Sequence, residues 1–107
     1  IAQANQIPNT LLEIGRLREI TFRAVGEGSG KSRDLDSYDS YYSHIIVFKK
    51  DSGQIAGSYR IAEIDKVLAT HGYKGLYTTN FFHYGHLAKN LRNGIELGRS
   101  FIIPEFQ

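Results

Sequence analysis

Cysteine, methionine and tryptophan are absent from the 107 residues, and proline occurs only twice. Without cysteine there can be no disulfide, no thiolate zinc site and no cysteine nucleophile, and the redox compartment leaves no trace in the sequence. No apolar run approaches the roughly 18–20 residues needed to cross a bilayer, and no signal-peptide pattern opens the chain. Charge of one sign is scarce too. The net charge is +2, and no Lys/Arg block forms a basic stripe, which argues against a nucleic-acid partner. What is present is ordinary for a globular protein: 41% hydrophobic and 22% charged residues, in a length that suits one small domain or part of one. The start at Ile1 instead of Met, and a strand-like ending at Phe101–Gln107, lead us to expect a piece excised from a longer protein.

Apolar residues at Leu11, Ile14, Leu17 and Phe22, with Arg18 among them, recur at three- and four-residue spacing and predict a helix over 8–24. Pro8 and Asn9 mark its start, Asn9 or Thr10 can cap it, and Gly26 stops it. Residues 26–43 read as a polar loop made mobile by three glycines in five positions. His44–Lys50 and Gln54–Ile61 read as a hairpin about the turn Asp51-Ser52-Gly53. In the second strand Ala56, Ser58 and Arg60 should share one face, and Ile55, Tyr59 and Ile61 the other. A short helix over Glu63–His71, a strand over Leu76–Phe82, a second short helix over 85–92 and a last strand over Ile95–Ile103 complete the expectation. No internal repeat or interdomain linker is visible.

Charged residues sit inside several of these apolar segments. Arg18 interrupts the helix stripe, Arg60 lies mid-strand, Glu96 and Arg99 lie in the last strand, and Asp34, Asp36 and Asp39 follow the loop. A charge in such a place is costly unless paired, so three arginines and four carboxylates are expected to form one cluster around Arg60. An internal salt-bridge network and an active site look alike at this level.

In order and spacing, Leu17-Arg18-x-x-x-Phe22, Asp34-x-Asp36-x-x-Asp39, Gly57-x-x-Arg60 and Glu96-Leu97-x-Arg99 resemble the acyl-homoserine-lactone synthases. Glu96-Leu97-Gly98-Arg99-Ser100 is more similar to the ornithine-lipid N-acyltransferases and to related proteins often labelled hemolysins. All belong to a GNAT-like branch. The resemblance spans residues 17–104. It implies an α/β (α+β) fold with a mostly antiparallel central sheet and flanking helices. It also implies acyl transfer from an acyl carrier protein thioester, with no bound cofactor and no metal, to an amine. By the same resemblance, Arg18 and the acidic loop help form the acceptor and acyl site, Arg60 and Glu96 lie near the reaction centre, and Arg99 extends the charged network. Catalytic roles are thus expected at Glu96, Asp39 and Arg60, and substrate binding at Arg18, Phe22, Asp34, Asp36, Arg99 and Ser100. The Glu-Leu-Gly-Arg-Ser string and the missing tryptophan favour an amino acid or aminolipid acceptor over lactone signalling.

The residue types suit that chemistry. Glu96 or Asp39, directly or through water, can take the proton lost by the amine. Backbone N–H groups at a bulge in the last strand can hold the oxyanion. We expect the bulge at Gly98, where one extra residue would bring Glu96 and Arg99 to one face. Such domains continue past this strand into a phosphate-binding loop and helix that grip the pantetheine arm. Residues 1–107 are therefore expected to be the N-terminal part of the domain and inactive alone, with an additional domain in the full chain. A cytoplasmic location is expected, with peripheral membrane contact if the acceptor is a lipid. A non-catalytic module that binds acyl carrier protein or a partner domain is the alternative.

Other features carry less. Gly26-x-Gly28-x-Gly30-Lys31-Ser32 lacks the spacing of a phosphate loop. His71, His83 and His86 match no metal-ligand spacing. Tyr38, Tyr41, Tyr42 and Tyr84 are expected to pack with their hydroxyls on partners rather than line an acyl cavity, and Phe81-Phe82 to be core.

Overall fold

A computed structural model describes residues 1–80 and 94–107. Its centre is a four-stranded antiparallel sheet in the order β1-β2-β3-β4, formed by Ala2–Gln3, Ser43–Phe48, Ile55–Glu63 and Ile95–Ile102. Among the described residues two helices accompany it, α1 at Pro8–Ala24 and α2 at Ile64–His71. The mixed, antiparallel architecture is the one expected.

Helix α1 starts with Pro8 in its first turn and Ile7 as its N-cap; no side chain caps it, so neither Asn9 nor Thr10 plays that part. At its other end Gly26 has φ 79°, and the Gly26 and Glu27 amides donate to the carbonyls of Arg23 and Phe22. This is a Schellman closure, which glycine adopts without steric cost. The face at Ile14, Leu17, Arg18 and Thr21 is buried.

Each central strand pair carries one irregularity. Val47 pairs with Gly57 and Phe48 with Ile55, so Ala56 is an extra residue in β3. It moves Ile55 to the face of Ser58, Arg60 and Ala62, contrary to the alternation expected from the sequence. Ile55 there joins Ile14, Leu17, Phe101 and Ile103 in one apolar cluster. On the β4 side Arg60 pairs with Gly98 and Ser58 with Phe101, so β4 also holds one extra residue. The positive φ falls on Arg99, at 50°.

A second apolar cluster gathers Tyr42, Ala62, Ile64, Val67 and Leu76. Along β3 the buried residues run Ile55, Gly57, Ser58, Arg60, Ala62, so the charged middle of the strand lies between the two clusters. The opposite sheet face is open. Val47, Leu97 and Ile102 are exposed there, and a groove of about 670 Å³ is lined by Val47, Tyr59, Ser100, Ile102 and Phe106 among others.

Two further expectations need correction. Over the described part of 76–82 there is no strand: Tyr77–Asn80 is a 3-10 turn. The Tyr77 and Thr78 amides donate to Tyr42 Oη and Glu96 Oε2, so side chains replace a sheet ladder as their acceptors. The glycine-rich loop is also tied down. Ser29, through its amide and hydroxyl, and the Gly30 amide donate to the Glu19 carboxylate, while Arg23 donates to the Lys31 carbonyl. Phe81, Phe82, His83, Tyr84, His86 and the helix expected over 85–92 lie outside the described residues.

Candidate active site

The acidic segment is organised by a local rule. Asp36 caps the 3-10 turn Ser37–Ser40, and its carboxylate accepts from the Tyr38 amide, while the Asp39 carboxylate accepts from the Asp36 amide at 2.9 Å. The Asp-x-x-Asp spacing is thus a capping box, and it aims both carboxylates under the sheet. The Asp34 amide donates to the Gly15 carbonyl, which holds the start of this segment against α1.

Three arginines from three elements meet these aspartates. Arg18 of α1 donates through Nη1 to both Asp39 oxygens, at 2.9 and 3.0 Å. Arg60 of β3 donates to Asp36 Oδ1 at 2.6 Å and lies 3.3 Å from Asp39 Oδ1. Arg99 of β4 stands off at 3.8 Å from Asp34 Oδ2 and 3.7 Å from Asp36 Oδ2. Arg18 and Arg60 are fully buried, whereas the Arg99 side chain is 31% exposed. The Arg60 guanidinium also sits within 5.1–5.5 Å of the Tyr38, Tyr42 and Tyr77 ring centroids, and Arg99 lies 5.4 Å from the Tyr77 ring. Cations are attracted to such ring faces.

Glu96 joins the group through hydroxyls and an amide. Its neighbour across the ladder is Ala62, two residues beyond Arg60, which carries its carboxylate toward the tyrosines. Tyr42 Oη donates to Glu96 Oε1 at 2.5 Å, and Thr78 donates to Oε2 from its hydroxyl at 2.6 Å and its amide at 3.3 Å. No Arg or Lys ion pair reaches Glu96 among the described residues.

Burial and pairing set the protonation of these groups. Burial pushes the Asp36 carboxyl up, but the hydrogen bond and charge of Arg60, with Arg99 beyond, outweigh it and hold the group below the usual carboxylate range. Burial pulls the Arg18 guanidinium down further than Asp39 lifts it. For Arg60 burial acts downward and Asp36 and Asp39 prevail, raising it. Burial and the bond to Glu96 push the Tyr42 phenol up, so it remains a donor. Burial lowers the His44 imidazole; the neutral ring places Nε2 at 3.0 Å from the Asp39 carbonyl.

Arg18, Asp34, Asp36, Asp39, Arg60 and Arg99 therefore form one connected ionic cluster, with Glu96 attached through Tyr42. Phe22 is not among them: it packs against the Ile14–Leu17–Ile55 cluster. Ser100 is exposed and lines the groove on the opposite sheet face. Tyr42 packs with its hydroxyl on a partner, as expected, and that partner is Glu96; it joins the candidate site with Tyr77 and Thr78. For Tyr42 the only signal was a tyrosine-rich segment before a strand, and for Tyr77 and Thr78 there was none. His71 stacks on Tyr41 at 3.9 Å, outside the cluster.

Comparisons with known proteins converge on this region. A glycine N(alpha)-acyltransferase of Phocaeicola vulgatus is 42% identical across 94% of this chain and 32% of its own length. Its counterpart in Bacteroides thetaiotaomicron matches to the same extent. An L-ornithine N(alpha)-acyltransferase of Agrobacterium fabrum is 30% identical across 85% of the chain. The chain thus spans about a third of the length of the curated relatives it matches. No solved structure matches it. The acetyltransferase (GNAT) domain model matches residues 17–107, from the helix that bears Arg18 through the bulged strand that bears Glu96 and Arg99, and the chain belongs to that family.

Proposed function

We propose that the whole protein is an N-acyltransferase that moves a fatty acyl group from an acyl carrier protein thioester to the amine of an amino acid or aminolipid. Residues 1–107 form the N-terminal part of its acyltransferase domain. The observation that carries this reading is Glu96. It is a buried carboxylate that no Arg or Lys neutralises among the described residues, held by two hydroxyls and an amide. Those three donors leave lone-pair capacity on the carboxylate, which can accept a proton from an incoming ammonium. Asp39, fixed by Arg18, Arg60 and the Asp36 amide, holds the arginines in place and leaves the base role to Glu96.

In this mechanism Glu96 removes a proton from the amine, and the nitrogen attacks the thioester carbonyl carbon. The carbonyl electrons move onto oxygen. A backbone N–H freed from the ladder by the extra residue of β4 stabilises that oxyanion. Collapse of the intermediate breaks the C–S bond, and the leaving sulfur takes up the second proton, the one the attacking nitrogen sheds as it becomes the amide. Acceptors of the amino acid class agree with the names of the relatives, a glycine and an L-ornithine acyltransferase.

The test incubates the whole protein with acyl–acyl carrier protein and either glycine or ornithine. Free thiol and N-acyl product are followed together. Stoichiometric formation of both supports the reading. Thiol release without an N-acyl product, or neither, overturns it.

A further inference from the structure

We infer that Arg99 reads the acceptor's carboxylate, so that the enzyme selects amines carrying a free carboxylate beside the nitrogen. The inference rests on the acyl-transfer reading above and adds the residue that sets acceptor specificity. Of the three clustered arginines, Arg18 and Arg60 are committed: each closes to hydrogen-bond length on an aspartate. Arg99 is not. Its nitrogens stand 3.7 and 3.8 Å from Asp36 and Asp34, beyond the 2.7–3.2 Å usual for N–H···O bonds, and its Nε, like those of Arg18 and Arg60, has no hydrogen-bond partner among the described residues. It is also the one of the three with solvent exposure, at 31%.

The backbone at Arg99 is unusual in the same direction. Its φ of 50° is the sole positive value at a non-glycine position among the described residues. An L side chain there costs roughly 1–2 kcal/mol relative to the right-handed region, and such costs gather at functional sites. The strain belongs to the bulge that turns the guanidinium onto the face of Arg60, against the Tyr77 ring. Next to it, Gly98 has no side chain, and a Cβ there would lie 3.8 Å from Arg60 Nε, an ordinary contact. Arg60 Nε and Nη2 likewise lack a hydrogen-bond partner among the described residues.

An α-amino acid carries one anion and one cation a few ångströms apart. Its carboxylate would take the bidentate fork of Arg99, a geometry that guanidinium favours. Its ammonium would meet the carboxylates that Arg99 holds only loosely, Asp34 and Asp36, on the way to Glu96. An amine without a carboxylate would leave the Arg99 donors desolvated and unmatched, the arrangement by which polar sites reject analogues strongly.

The experiment uses the whole protein, an acyl–acyl carrier protein donor, and glycine and glycinamide as acceptors. The wild type is expected to prefer glycine in kcat/KM by at least about 100-fold. Arg99→Gln should bring that ratio toward one, chiefly through KM for glycine, and leave KM for the acyl donor in place. Arg99→Gly, which accepts a φ of 50° freely, repeats the test if the glutamine variant does not fold. Arg99→Lys, retaining the charge without the fork, should recover part of the preference. Failure of the wild type to acylate either amine overturns the parent reading. Acylation of both amines alike by the wild type, or a glycine preference that survives Arg99→Gly, overturns this inference alone.

Discussion

Arg18 and Asp39 close a bidentate contact of 2.9 and 3.0 Å between α1 and the acidic turn, with both side chains out of solvent. Removing one partner of such a pair leaves the other buried without compensation. Asp39→Asn is therefore expected to cost about 3–5 kcal/mol of stability, read by chemical denaturation of the whole protein. The exposed pair Glu13–Arg16, 43% and 49% accessible, provides the control: Glu13→Ala should cost less than about 1 kcal/mol. Equal effects of the two substitutions would contradict the buried ionic centre.

Glu96→Gln keeps the size of the side chain and one of its two acceptor oxygens, with the amide NH2 facing the Tyr42 or Thr78 hydroxyl in place of the other, while removing the charge that takes the proton. Turnover should fall by about 100-fold or more, with the melting temperature close to that of the wild type. A folded variant with wild-type turnover would remove Glu96 from the mechanism.

Stability should decline in two steps as pH falls. His44 has a folded pKa lowered by burial, so the unfolded chain takes up its proton first. Its contribution is present above the ordinary histidine value of roughly 6.5 and is lost below it. Glu19, held at about 2 first by the Ser29 hydroxyl and further by the Ser29 and Gly30 amides, and Asp36, held down against its burial by Arg60, have depressed folded values. Their contributions are present above the unfolded carboxylate range, near 4, and fade as pH drops toward 2. Thermal melts from pH 8 to pH 2 should show both steps. Glu19→Gln should diminish the second while leaving the first, and a melting temperature flat between pH 7 and pH 5 would rule out the role assigned to His44.

Gly57 sits where β3 and β4 approach closely. A Cβ there would lie 2.5 Å from the Phe101 carbonyl oxygen, a backbone atom with little room to move. Gly57→Ala should destabilise by about 1–3 kcal/mol. Gly30→Ala has open space around its Cβ and should suffer only from its positive φ, by about 1–2 kcal/mol. Circular dichroism melts of the two variants separate the steric effect from the conformational one.

Much of this protein is legible from its residues alone. The spacing of Leu11, Ile14, Leu17, Arg18 and Phe22 marks the stripe of α1 that turns inward, and Asp51-Ser52-Gly53 marks the hairpin, because each depends on interactions only a few residues apart. The presence of Arg18, Arg60, Arg99 and Glu96 in apolar segments likewise announces that charges must meet, since none can be buried alone. Which charges meet was decided by the tertiary structure. One extra residue in β3 carries Ile55 across the sheet, and one in β4 gives Arg99 its left-handed backbone and its place beside Arg60. A shift of a single residue in a two-residue period reverses every side chain beyond it; the irregularity of β4 falls directly after Gly98, where the sequence leads one to expect it, whereas nothing local announces the one in β3. The partners of Glu96 were decided in the same way. Tyr42 and Thr78 lie 54 and 18 residues from it in the chain, and the Tyr77–Asn80 segment forgoes a strand because long-range acceptors on Tyr42 and Glu96 satisfy its amides.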